Sequence, residues 1–170
     1  MTNRAPALDV ELVAVDAVAP HPANPRQGDV GAIVQSIEAN GWWGVIVAQR
    51  STGYVLAGNH RLQAARSLGL GEVPVHWLDV DDATALRVLL ADNRSNDLAA
   101  YDDHALATLL QAVVADAGTL DGTLYDADDL DQLLADLAAD PGDDDDHAYG
   151  RELVTCPECG HRFAPKTDDG

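Results

Sequence analysis

Apolar positions change period several times along the chain, and each change marks an element. Residues 11–18 are a β-branched run that predicts a strand. Pro20, Pro22 and Pro25 follow in the loop that ends at Arg26, and three prolines that close together hold the backbone extended and out of any helix. Val30, Ile33, Val34 and Ile37 then recur at helical spacing, with Asp29 placed as N-cap and Asn40-Gly41 as the stop. Residues 45–49 and 54–57 are short strands around Ser51-Thr52-Gly53 and predict a hairpin. At Gly58-Asn59-His60-Arg61 the second of these strands turns directly into a helix carrying Leu62, Ala65 and Leu68 as far as Gly69. Val73, Val75 and Trp77 alternate as a further strand. Asp81 and Asp82 are cap candidates for a helix bearing Leu86, Leu89 and Leu90 and reaching Asp92-Asn93-Arg94. The order is strand, helix, two strands, helix, strand, helix, which is a compact α+β unit closing near Asn96.

Beyond that point the pattern is helical. Leu106, Leu109, Leu110, Val113 and Val114 predict one face of a helix starting near Asp102; Leu130, Leu133, Leu134 and Leu137 predict another after Asp126. Residues 140–146 combine proline, glycine and a run of aspartates and read as a solvated linker. The expected organisation is therefore an α+β domain over 8–96, a helical extension over 97–139, an acidic linker over 140–150 and a cysteine-bearing tail over 151–165.

Charge sharpens this division. The 170-residue chain carries a net −19, yet residues 1–95 hold 7 Arg/Lys against 10 Asp/Glu, whereas residues 96–149 hold none against 15. So acidic a segment repels nucleic-acid phosphates, because DNA affinity comes largely from Lys and Arg displacing counterions. DNA contact is expected to be indirect at most. The acidity has two readings, a compositional bias of the source and an acidic surface for a protein partner. No apolar run reaches the roughly 18 residues of a membrane span, and the start MTNRAPALDV lacks a signal-peptide core, so a cytoplasmic location is expected.

Three places could carry chemistry. The strand that breaks at Gly58 into a helix offers unpaired backbone N–H groups and the positive end of a dipole, and Arg61 adds a planar donor suited to phosphate oxygens. The local pattern alone fits a tight turn with an exposed arginine better. Arg26 closes the proline loop. Asp92-Asn93 sets a carboxylate beside an amide, a partial oxygen shell for Mg²⁺ that also reads as a helix-end capping pair. The tail holds Cys156-Pro157-Glu158-Cys159-Gly160-His161. Two thiolates at that spacing suit zinc, but they supply half a tetrahedral site; His161, His147 or a second chain would complete it. A metal-free pair of thiols is the alternative. Trp42-Trp43 reads as core or interface packing rather than as a platform for a base.

Taken together, the loop Pro20-His21-Pro22-Ala23-Asn24-Pro25-Arg26, the turn Gly58-Asn59-His60-Arg61-Leu62-Gln63-Ala64-Ala65 and Leu90-Ala91-Asp92-Asn93-Arg94 resemble the ParB/sulfiredoxin superfamily over residues 8–100. The resemblance implies that Arg26, Gly58, Asn59, His60 and Arg61 bind nucleotide phosphates and that Asp92 and Asn93 hold Mg²⁺. Departures from the family pattern are local. ParB loops usually carry, where Asn24 stands, a glutamine linked to hydrolysis, and Asn59-His60 replaces a Glu-Arg pair. Sulfiredoxin has its reactive cysteine at the position of Asn59, so peroxiredoxin repair is not expected. A related branch phosphorylates free serine and ends its turn in His-Arg, which keeps phosphotransfer open. The acidic helices replace the basic DNA-binding domain of chromosome-partitioning ParB, and with the CxxC tail they resemble small ParB-domain proteins of phages and mobile elements.

The leading expectation is thus a domain that binds CTP or ATP with Mg²⁺, and hydrolyses the nucleotide or transfers its phosphate, in phage or plasmid DNA metabolism. Rival expectations are a non-catalytic adaptor or DNA-modification accessory that uses the acidic helices, a ParB-like nuclease, and a homodimer completed by shared zinc.

Overall fold

The computed structural model describes residues 9–139 together with the backbone of 154–155 and 162–163. Within these, a first compact unit comprises the residues up to Ala100 and Val113–Asp126, and a second comprises Tyr101–Ala112 and the described residues from Ala127 onward.

The first unit is built on a five-stranded mixed sheet. Its strands are β1 (Val10–Ala14), β2 (Ala19–Pro20), β3 (Ile46–Gln49), β4 (Tyr54–Ala57) and β5 (Glu72–Leu78), in the spatial order β1-β5-β3-β4-β2. The β3–β4 hairpin is antiparallel as its turn residues predict, while β3 and β5 run parallel with Ile46 opposite Val75. The helix between β4 and β5, α2 (Asn59–Ser67), supplies the crossover that a parallel pair needs. Residues expected to continue the first strand to Val18 instead form a 3-10 turn at Val15–Ala17, after which Ala19–Pro20 pairs in parallel with β4. A proline is tolerated there because β2 is an edge strand and its missing N–H faces no neighbour.

Val18, Ile46, Ala48, Val55, Leu62, Ala65, Val73 and Val75 form the core between the sheet and α2. At roughly 25 cal/mol per Å² of apolar surface removed from water, a cluster of this size dominates the stability of the unit. It fixes the place of the β4–α2 turn, because Val55 lies just before that turn and Leu62 just after it. Helix α1 (Val30–Asn40) begins where Asp29 accepts from Ala32 N at 3.0 Å, and it packs beside α2. Its C-terminal end is tied to the segment after α4: the Gly122 carbonyl accepts from Ser36 Oγ at 2.6 Å and from Asn40 Nδ2 at 2.9 Å.

Helix α3 (Asp82–Asp97) is capped by Asp81, whose carboxylate accepts from Thr84 N at 2.7 Å. Asp82 has another task and accepts from the fully buried Gln49 amide at 2.9 Å. Of the leucines expected on this helix, one faces inward. Ala85 and Leu89 are buried, whereas Leu86 is 42% and Leu90 57% exposed, because α3 lies against β4 through its Ala85/Leu89 side. In α4 (Asp103–Ala117) the inward set is Ala107 and Leu110, with Leu109 and Val114 outward. Asp102 caps this helix by accepting from Ala105 N. In α5 (Ala127–Ala139) the four leucines are half-buried and no residue is fully buried.

Strands β6 (Val154–Thr155) and β7 (Arg162–Phe163) pair antiparallel. Cys156, Cys159, His161 and His147 lie outside the described residues. No helix among the described residues is long and apolar enough to cross a membrane.

Candidate functional site

Three chain segments far apart in sequence meet on one side of the sheet. The proline loop brings Asn24 and Arg26; the β4–α2 turn brings Gly58, Asn59, His60 and Arg61; α3 brings Asp92, Asn93 and Asn96. Together with Ile33, Trp43, Val45, Val47 and Ala57 they line a cavity of about 440 Å³.

The turn has the form expected of an anion site. Gly58 sits at φ +91°, a left-handed conformation that glycine adopts without strain, and α2 starts immediately after it. The first N–H groups of a helix have no partner within the helix, so this wall of the cavity is a ready donor surface for an anion. The Asn59 side chain is engaged within the fold. It is 6% exposed, its Oδ1 accepts from His21 N at 2.9 Å, and its Nδ2 donates to the Val55 carbonyl at 3.2 Å. The side chain is therefore committed to stitching the proline loop onto the turn. His60 makes a second stitch, with Nε2 3.3 Å from the Arg26 carbonyl.

Each cation has defined partners. Arg26 Nη1 donates to the Asn93 carbonyl at 2.7 Å and to Asp97 Oδ1 at 2.8 Å. Arg61 Nη1 donates to the Val45 carbonyl at 3.3 Å, its guanidinium carbon stands 4.4 Å from the Trp43 ring centroid, and its buried Nε has no acceptor among the described residues. Burial lowers the Arg61 pKa, with the Asp92 carboxylate opposing the shift, and the group stays charged as arginine does. Asp92 moves the other way: burial raises its pKa above the usual carboxylate value, with Arg26 and then Arg61 pulling it back.

For a divalent cation the donor chemistry fits in part. Asn24 Oδ1 accepts from Asn93 Nδ2 at 3.0 Å, which leaves the amide oxygen free of that bond in a cavity that the Asp92 carboxylate also lines. Neither oxygen meets a hydrogen-bond donor among the described residues. One carboxylate and one amide oxygen suit Mg²⁺, which keeps several waters and shares substrate phosphates, and would not make a closed protein cage. No group of three or more His, Cys, Asp or Glu side chains gathers among the described residues.

Two members of this site were not singled out by sequence reasoning. Asp97 has no local signal, and Trp43 was read as packing; only the fold brings them to Arg26 and Arg61.

The family model for the ParB N-terminal domain matches residues 2–94. The chain belongs to this family. The matched span carries every residue of the cavity wall except Asn96. Among solved structures the chain is similar to C-terminally truncated ParB from Caulobacter crescentus complexed with CTP-γ-S, at 20% identity and TM-score 0.56, over 65% of this chain and 66% of that one. It also matches a Pnob8-like ParB-N domain at 14% identity and TM-score 0.45, over 93% of this chain and 57% of that one. Sulfiredoxin from Arabidopsis thaliana matches at 23% identity and TM-score 0.40, over 48% of this chain and 97% of that one. The chain thus spans about two thirds or less of the ParB chains it resembles. No match is found among curated proteins. The likeness to the Caulobacter structure supports the α+β ParB/sulfiredoxin-like fold.

Proposed function

We propose that the cavity binds a nucleoside triphosphate with Mg²⁺. The observation that carries the reading is the convergence of Arg26, the Gly58 turn, Arg61, Asp92 and Asn93 on one cavity from three separate segments. In this reading the phosphates lie on the α2 N-terminus, where backbone N–H groups and the helix dipole favour negative charge, and the two arginines neutralise them. Asp92 and Asn93 would hold the cation, whose chemistry is to bridge phosphate oxygens and offset their charge. CTP is the first candidate, because the Caulobacter relative was solved with CTP-γ-S, and ATP is the second. Hydrolysis or phosphoryl transfer at such a site rests on positioning and charge neutralisation. Calorimetric titration of Arg61→Ala and Asn93→Ala variants tests the reading: both lose saturable nucleotide binding, and unchanged binding in both would end it.

The acidic stretch favours a second role beside the first. With no Arg or Lys against 15 Asp/Glu over residues 96–149, and with Leu98 and Leu109 outward, a basic protein partner fits this segment better than DNA. Zinc at Cys156 and Cys159, shared across a homodimer, stays part of the proposal. A pull-down that survives Arg61→Ala and fails on deletion of residues 101–139 supports the partner role; the reverse pattern removes it.

A further inference from the structure

The two cavity cations are held by different means. Arg26 is fixed by an ion pair and a carbonyl, whereas Arg61 is fixed by the shape and face of three consecutive residues in the connection between α1 and β3. Trp43 lays its ring 4.4 Å from the guanidinium carbon. Gly44 stands at φ +84°, and a Cβ there would come within 2.9 Å of Nη1, so only a bare backbone lets the guanidinium lie this close. Val45 accepts from Nη1. With Nε lacking any acceptor among the described residues, one carbonyl bond is all the hydrogen bonding that the slot supplies. The stack on indole therefore does much of the work of orienting the side chain.

Resting on the nucleotide reading above, we propose that Trp43-Gly44-Val45 is a slot that orients Arg61 toward the phosphate chain, with Trp43 a positioning residue and not the platform for the base. An arginine left free has several rotatable bonds to immobilise when an anion arrives, and holding it in place beforehand removes that cost from binding. A guanidinium resting on an aromatic face keeps its full charge, since the ring attracts the cation without neutralising it as a carboxylate would. The guanidinium covers one face of the Trp43 ring, so a base could stack on that face only by displacing it.

The two roles separate by ligand. Inorganic tripolyphosphate has no base, so a slot that orients Arg61 acts on it and on CTP or ATP alike. Calorimetry of the full chain with tripolyphosphate and with each nucleotide is run for the wild type, Trp43→Leu and Trp43→Phe, with thermal melts alongside. Trp43→Leu weakens tripolyphosphate and nucleotide by the same factor, about three- to tenfold from the size of an arginine–aromatic contact, and Trp43→Phe recovers most of the affinity. Loss of nucleotide binding with unchanged tripolyphosphate binding would make Trp43 the base platform and overturn the proposal, as would no change in either. Should Trp43→Leu melt early, the wild type still decides: with the guanidinium carbon 4.4 Å from the ring centroid, the Arg61 Nε–H proton resonates upfield of an unstacked arginine, and a normal position would overturn the slot. If the wild type binds neither ligand, the nucleotide reading fails and the role assigned to the slot fails with it, even where the upfield resonance shows the stack itself.

Discussion

Replacing Asn59 by leucine separates a structural stitch from a ligand contact. The leucine side chain has the branching of asparagine but is bulkier and has no polar atoms, so besides crowding a buried position it strands two groups: the half-buried His21 N–H, now bound at 2.9 Å, and the buried Val55 carbonyl, now bound at 3.2 Å. An unsatisfied buried donor or acceptor costs about 1–3 kcal/mol. Counting both and allowing water to reach the His21 side, the loss is about 2–4 kcal/mol. For a chain of this length about 2–4 °C of melting temperature goes with each kcal/mol, so calorimetric melting should fall by about 5–15 °C. His21 lies in the proline loop, so loosening it also loosens Arg26, and nucleotide affinity falls as a consequence of the lost anchorage. A variant that melted within 2 °C of the wild type while losing nucleotide affinity would refute this reasoning and return the Asn59 amide to the phosphates.

Other perturbations follow from the same geometry. Asp97→Asn removes a carboxylate that competes with phosphate for Arg26; an ion pair this exposed is worth about 0–1 kcal/mol, so stability hardly moves, while tripolyphosphate binds up to about fivefold tighter by calorimetry, and weaker binding would contradict the competition. The Asp81 cap predicts a pH dependence. Its hydrogen bonds from Thr84 lower its pKa, so it stabilises the fold above the unfolded carboxylate pKa and loses that contribution as pH falls through its own depressed value. Asp81→Ala should therefore lower the melting temperature at neutral pH, and the difference from wild type should close in strongly acidic buffer; a gap independent of pH would contradict the carboxylate cap.

The parts of the fold that were legible in the sequence are those set by neighbours along the chain. Gly58 announces its turn because the chain passes from β4 to α2 in a single residue there, and glycine takes that left-handed conformation without strain, while Asp29 and Asp81 announce caps because the N–H groups they satisfy lie three residues ahead. What was hidden is non-local. The end of the first strand at Ala14 depends on pairing with β5, and the short β2 exists only because Ala19–Pro20 finds β4. The helix period of α3 was visible, but its inward side was not. Leu86 and Leu90 look like the core on hydrophobicity, yet the close approach to β4 selects Ala85 with Leu89. At the site, the motif residues could be named one by one, while Trp43 on Arg61 and Asp97 on Arg26 required the folded chain.

Direct titration of the wild-type chain with CTP, ATP and GTP, each in Mg²⁺ and again with the metal chelated, bears on all of this at once. The geometry predicts one saturable site for at least one nucleotide, weakened when Mg²⁺ is removed. No saturable binding of any of the three would contradict the assignment of this cavity to nucleotide.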